Sequence, residues 1–215
     1  MTLEILHLAG IEVSEKEKSF TTFGKQRFNT FQWEHEADWS QAAFWYAANF
    51  LGSSVVTEGL NPDSVQGDRC IALWYQKLRR PGDIELDLGQ NPDLLPAAAL
   101  MAAVRKGTTR FVNAGRLRNK ESDRLRASAV VLSRLGAAVE EQEDGLVLFG
   151  PRCLRGGVTV DPSGDHRIAM MTAVAATACE APVVLTDADC VCKSYPEFWK
   201  HYHSLGGKSN VLVQR

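Results

Sequence analysis

The feature that most constrains this chain is an internal pattern that occurs three times. In each copy an aspartate opens an alanine-rich apolar segment, a small or helix-breaking residue closes it, and a β-branched run follows. The first copy runs from Asp38 through Phe44–Leu51 to Gly52, then Ser54–Thr57. The second runs from Asp93 through Ala97–Val104 to Gly107, then Thr108–Val112. The third runs from Asp165 through Ile168–Ala178 to Pro182, then Val183–Thr186. Aspartate at a helix N-terminus accepts hydrogen bonds from the first free backbone N–H groups, and Gly or Pro ends the helix.

Each copy is followed by a second helical pattern, at Ser64–Leu78, Glu121–Leu135 and Tyr195–Leu205. In the middle one, Leu125, Ala129, Leu132 and Leu135 fall on one face. Gly136 stops it, and the runs Ala137–Glu141 and Leu146–Phe149 follow, joined by Glu143-Asp144-Gly145, a hairpin signal. The repeating unit therefore reads βαβαββ, and the fold class is α/β (α+β) with a pseudo-threefold repeat. The first copy is abridged, because Pro81-Gly82 leads straight into the strand Ile84–Leu88. Helix periodicity alone equally suits an ordinary α/β sandwich.

Residues 1–32 read differently. Thr2–Ala9 is the end of a helix capped by Gly10, Ile11–Val13 and Phe20–Phe23 are strands, and Glu15–Lys18 is a solvated turn. This matches the close of a unit whose beginning is absent. The expected domains are thus 1–32, the tail of a preceding lobe with a hinge, and 33–215, a second lobe.

Three clusters could carry chemistry. Arg116-Leu117-Arg118-Asn119-Lys120-Glu121-Ser122-Asp123-Arg124 is rich in cations, with Lys120 and Arg124 four apart and so on one helical face. Cations at a helix N-terminus oppose the dipole, which makes sense if a phosphate or carboxylate sits there. The same residues also fit a solvated face with a Glu121–Arg124 ion pair. The loop Asp161-Pro162-Ser163-Gly164 delivers Asp165, His166 and Arg167 to the first turn of an apolar helix. Arg167 suits a carboxylate or phosphate, while His166 also reads as a structural histidine. Cys192-Lys193-Ser194-Tyr195-Pro196 places a lysine before another helix opening, where it could equally be solvated. Asp93 reads first as a helix cap. Beside several cations it would also stay ionised and could take a proton from a bound hydroxyl.

The order of Asp38-Trp39-Ser40-Gln41-Ala42-Ala43, Gln66-Gly67-Asp68-Arg69, Pro92-Asp93, Lys120-Glu121-Ser122-Asp123-Arg124, Asp165-His166-Arg167-Ile168-Ala169-Met170 and Lys193-Ser194-Tyr195-Pro196 resembles the C-terminal half of the 5-enolpyruvylshikimate-3-phosphate synthase family (3-phosphoshikimate 1-carboxyvinyltransferase) over essentially the whole chain. The resemblance implies one lobe of a two-lobed enolpyruvyl transferase fold, with the active site in the cleft between lobes. It implies transfer of the enolpyruvyl group of phosphoenolpyruvate to the 5-hydroxyl of shikimate 3-phosphate. By the same resemblance Asp93 and Glu121 are the catalytic carboxylates and Asp93 and Lys120 meet shikimate 3-phosphate. Arg124, Arg167 and Lys193 are implied to hold phosphoenolpyruvate. No metal or cofactor is implied, and the implied partner is the N-terminal lobe, whose phosphate-binding elements do not occur in these residues. Arg116 stands where some members have asparagine. Two other readings stay open, a lobe of the sister transferase acting on UDP-N-acetylglucosamine and an anion-binding module without catalysis.

Composition narrows the setting. A net charge of −2 argues against nucleic-acid or membrane-surface binding. No apolar run approaches the roughly 20 residues of a spanning helix. Glu4 stands where a signal peptide would carry basic residues. The five cysteines, Cys70, Cys153, Cys179, Cys190 and Cys192, are too irregular for a disulfide framework, and Cys190 and Cys192 lack a second pair at zinc-ligand spacing. The expected location is the reducing cytoplasm.

Overall fold

The middle copy of the repeat sets the architecture, here in a computed structural model that describes residues 1–212. Residues 213–215 of the lobe expected over 33–215 lie outside the described residues.

Seven α-helices occur among the described residues: α1 (Thr2–Leu8), α2 (Trp39–Phe50), α3 (Ile71–Leu78), α4 (Leu95–Val104), α5 (Arg124–Arg134), α6 (His166–Ala176) and α7 (Phe198–Ser204). The strands are β1 (Val13–Lys16), β2 (Ser19–Thr22), β3 (Ile84–Asp87), β4 (Gly107–Val112), β5 (Ala138–Gln142), β6 (Gly145–Gly150), β7 (Thr159–Val160) and β8 (Val184–Leu185). From β3 to β6 the order is βαβαββ, as the pattern predicts. Its four strands form one sheet in the order β3-β4-β6-β5, with β3 and β4 parallel and the others antiparallel. The β5–β6 hairpin turns at Glu143-Asp144, with Gln142 opposite Gly145. Asp144 also binds back to the chain ahead of the cationic cluster, its side chain accepting from the Gly115 N–H and its carbonyl from Ala114 N–H at 3.1 Å. Gly145 has no Cβ because one would press on the Phe111 carbonyl.

The flanking copies are less complete than the pattern predicts. The third keeps β7, α6, β8 and α7, with β7 and β8 paired in parallel. Its closing strand pair is absent among the described residues. In the first copy Ser54–Thr57 is not a strand. The Asn49 side chain accepts from the Val55 N–H at 2.6 Å and donates to the Val55 carbonyl at 2.7 Å, so those backbone groups are satisfied without a neighbouring strand.

The core lies where the helices converge. Helix α4, Leu-Pro-Ala-Ala-Ala-Leu-Met-Ala-Ala-Val, is buried from Leu95 to Ala103 and packs against α2, α3, α5, α6 and β6. A helix apolar on every side must be enclosed on every side, and its alanines let neighbours approach closely. Asp38, Asp123 and Asp165 cap α2, α5 and α6 through their carboxylates. Asp93 does not cap α4. It sits in a 3-10 turn, Pro92–Leu94, that leads into the helix. The prolines at 92 and 96 remove two backbone N–H groups, and nearby cations take the carboxylate instead.

The N-terminal segment is a helix, a glycine turn with Gly10 at φ +77°, and an antiparallel hairpin. Its strands pair Val13 with Thr22 and Lys16 with Ser19, so the turn is Glu17-Lys18, narrower than Glu15–Lys18. Leu6, Phe20, Phe23 and Phe28 border an open apolar groove of about 580 Å3. Among the described residues no helix is long and apolar enough to cross a membrane. All five cysteines are free thiols, and burial pushes those of Cys70 and Cys190 up to about 11.

Candidate active site

The openings of α4, α5 and α6 converge on Arg124. This first residue of α5 is only 1% exposed, yet its guanidinium reaches three carboxylates. Nε donates to Asp165 Oδ2 at 2.9 Å and Nη2 to Asp165 Oδ1 at 3.2 Å, a bidentate grip. Nη1 donates to Asp93 Oδ1 at 2.6 Å, and Nη2 also donates to Glu121 Oε2 at 2.6 Å.

The remaining candidates attach to the same hub. Lys120 Nζ lies 3.1 Å from Asp93 Oδ1. Arg167 Nη2 lies 3.6 Å from Asp93 Oδ2, and its Nη1 donates to the Asp93 carbonyl at 3.3 Å. Lys193 Nζ donates to Glu121 Oε1 at 3.0 Å and is the most exposed of the cations. All six sequence candidates, Asp93, Lys120, Glu121, Arg124, Arg167 and Lys193, thus belong to one ion-pair network.

Local structure explains these positions. Asp165, fully buried, caps α6 by accepting from Arg167 N–H at 3.0 Å, and also accepts from Ser122 Oγ at 3.0 Å. One carboxylate therefore orients both α5 and α6 at their positive ends. The loop carrying Lys193 is pinned to α2, where Gln41 Nε2 donates to the Ser194 carbonyl at 2.7 Å and Trp45 Nε1 to Tyr195 Oη at 3.2 Å. Arg118 turns away to Asp123, Glu141 and the hairpin carbonyls of Gln142 and Glu143, a bracing role. Arg116 is exposed and makes only a long 3.5 Å contact with the Gly89 carbonyl.

The electrostatics follow. Burial alone would raise the Asp93 carboxyl, but Arg167, Lys120 and Arg124 outweigh it and hold the group below its ordinary range. Burial also raises Glu121, against which Lys193, the backbone and Arg124 pull it down to about 2. Glu121 is therefore ionised here, whereas proton transfer at neutral pH needs a value near the working pH. Burial, then Arg167, lowers His166, whose Nδ1 is enclosed with no hydrogen-bond partner among the described residues. Each cation has a carboxylate partner, with four cations sharing the three carboxylates of Asp93, Glu121 and Asp165.

Residues 1–202 match the family model described as EPSP synthase (3-phosphoshikimate 1-carboxyvinyltransferase). The chain belongs to the EPSP synthase family. It is 42% identical to the 3-phosphoshikimate 1-carboxyvinyltransferase of Clostridium acetobutylicum, over 96% of this chain and 51% of that protein. It is 40% identical to the Clostridium novyi protein of the same name, with the same coverage of both chains. Among solved structures it resembles EPSP synthase from Acinetobacter baumannii, with a TM-score of 0.83 at 22% identity, over 96% of this chain and 54% of that one. It also resembles the enolpyruvyl transferase NikO from Streptomyces tendae, with a TM-score of 0.63 at 16% identity, over 96% and 52%. The two structural likenesses speak to fold. The chain spans about half the length of the curated relatives it matches.

Within this EPSP synthase family chain, sequence reasoning missed the parts played by Asp165, Ser122 and Gln41. Asp165 carries the expected helix-cap signal, but nothing in the sequence says that the cap is buried against an arginine of another helix. The arginine fork at position 124, placed by resemblance on a substrate, has four of its five N–H donors engaged by protein carboxylates in this arrangement.

Proposed function

We propose that this chain forms one wall of an interlobe active site that transfers the enolpyruvyl group of phosphoenolpyruvate to the 5-hydroxyl of shikimate 3-phosphate, releasing phosphate. The observation that carries this reading is the single network joining Asp93, Lys120, Glu121, Arg124, Arg167 and Lys193 at the helix openings. Family membership and the names of the relatives support it. Residues 33–215 act as the C-terminal lobe, and residues 1–32 as the tail of the other lobe with its hinge. The opposite wall belongs to that N-terminal lobe, and the setting is cytoplasmic, which suits five free thiols.

In this mechanism Asp93 accepts the proton of the attacking 5-hydroxyl, and Lys120 steadies shikimate 3-phosphate beside it. The hydroxyl oxygen bonds to C2 of phosphoenolpyruvate while Glu121 delivers a proton to C3. Return of a proton from C3 to Glu121 and departure of phosphate from C2, which carries off the proton held by Asp93, then restore the double bond. Arg167 and Lys193 take the phosphate and carboxylate of phosphoenolpyruvate, and Arg124 contributes from below. Glu121 can carry a proton only if its hold on Lys193 and Arg124 is relaxed. An anionic substrate that draws Lys193 away removes a charge that keeps Glu121 low, and closure that excludes water strengthens the burial that raises it.

Half of the site is expected to turn over negligibly alone, because the orientation supplied by two walls is worth up to about 7–11 kcal/mol. The test is phosphate release by this chain with phosphoenolpyruvate and shikimate 3-phosphate, with and without an N-terminal lobe from a relative. Activity that appears only with the added lobe is the expected result, with UDP-N-acetylglucosamine inactive as acceptor. Release with UDP-N-acetylglucosamine, or none with either acceptor in a folded complex, would overturn the proposal.

A further inference from the structure

Helix α4, which opens at Asp93, has its other end away from that network. The C-terminal ends of α2, α3 and α4 meet around a separate cavity of about 390 Å3 bordered by Phe50, Tyr75, Arg79, Arg80, Arg105 and Lys106. Its size is within the range of small-molecule sites.

Arg105 is only 4% exposed. Its Nε donates to the Leu78 carbonyl at 2.9 Å. Nη1 donates to the Thr108 carbonyl at 3.2 Å and Thr109 Oγ1 at 3.0 Å. Nη2 donates to the carbonyls of Arg80 at 2.5 Å and Gly82 at 2.7 Å. All five of its N–H donors are used, and every acceptor is neutral. Asp83 is nearby, but its carboxylate accepts from the Thr108 N–H.

Among the described residues, Arg79, Arg80, Arg105 and Lys106 make no ion pair. Three helix C-termini here contribute roughly half a negative charge each. With Asp83 included, the four cations still leave the cavity positive by between about one and two charges. Arg105 is accounted for as a strut between the end of α3 and the start of β4, but a strut does not explain the exposed Arg79, Arg80 and Lys106 around it.

Aromatic side chains border the same cavity. Tyr75 meets Phe50 edge-on with ring centroids 5.8 Å apart, and Pro81 lies beside them. The Arg79 guanidinium carbon sits 5.7 Å from the Tyr75 ring centroid, drawing one cation over the aromatic side. Cations and aromatic rings bordering one cavity match a ligand that is both anionic and aromatic. We infer that this cavity is a second binding site, for a small oxyanion carrying a flat apolar ring. Arg80 and Lys106 take the oxyanion, Arg105 supplies fixed positive charge from the floor, and the ring lies against Phe50, Tyr75 and Pro81.

The test is a low-salt NMR titration of the chain with phenyl phosphate and, separately, inorganic phosphate, read at Lys106, Arg80 and the Tyr75 ring. Phenyl phosphate is expected to saturate these signals at a concentration about fivefold or more below that for phosphate, because only it buries a ring. Arg80→Ala with Lys106→Ala should weaken both probes about fivefold or more. Both side chains are exposed, so the substitutions leave the fold intact, and Lys106→Glu alone provides a second variant of opposite charge. Lys193→Ala, in the other site, should leave the response at Lys106 unchanged. Equal affinity for the two probes, an unaltered response in the double variant, or shifts confined to Lys120, Arg167 and Lys193 would each overturn the inference.

Discussion

Arg124 and Asp165, 41 residues apart in sequence, form a buried bidentate pair with exposures of 1% and 0%. A buried pair adds little net stability as a pair, because desolvation offsets the attraction, but leaving one member alone is costly. Asp165→Asn keeps the shape while removing the charge, and should destabilise the chain by about 1–3 kcal/mol, because Arg124 keeps Asp93 and Glu121 as partners. Urea denaturation checks this, and a loss under about 0.5 kcal/mol would show that Asp93 and Glu121 alone suffice for Arg124.

Stability should fall at acid pH through Glu121. Its folded value of about 2 lies below its ordinary 4.5, so its contribution is fully present above 4.5 and is lost as pH falls from there towards 2. Denaturant midpoints measured between pH 6 and pH 3 should drop more steeply in the native sequence than in Glu121→Gln. His166, depressed below its ordinary 6.5, adds an earlier loss as pH falls through that value, because the unfolded chain binds the proton more readily. Its ring should be less than half protonated at pH 6.5 by NMR.

Removing Lys193 separates electrostatic tuning from stability. The side chain is 57% exposed, so Lys193→Ala should cost less than about 1 kcal/mol. The same change deletes the hydrogen bond that most lowers Glu121, and the Glu121 carboxyl should titrate at a higher pH by carbon-detected NMR. An unmoved titration would assign the depression to Arg124 and the backbone instead.

Gly145 is a steric requirement of the sheet. A Cβ there would press on the Phe111 carbonyl, which neighbouring strands hold in place. Gly145→Ala should destabilise by about 1–3 kcal/mol through overpacking. Because Asp144 ties this hairpin to Ala114 and Gly115, amide exchange should also speed up in residues 114–119.

Much of the fold was legible locally. An alanine-rich segment such as Leu95–Val104 announces a helix enclosed on all sides, and Asp38 and Asp165 announce the starts of α2 and α6 through short-range capping. The residues 138–150 announce a hairpin through two short runs and the Asp-Gly turn that joins them. Ser54–Thr57 failed as a strand because β-branched residues fit a strand but cannot supply the neighbour it pairs with, and Asn49 reached Val55 first.

For the site, sequence by itself determined the identity of the charged residues and their placement at helix openings. It could not determine how those charges pair, because attraction depends on distance and burial, which only the packed chain sets. Tertiary structure turned Asp93 from a helix cap into a partner of three cations and sank Arg124 between α5 and α6. It also made the Asp165 cap the buried anchor of the network. Capping is decided within a few residues of chain, whereas these pairings join groups 27 to 74 positions apart and exist only once α4 is enclosed by its neighbours.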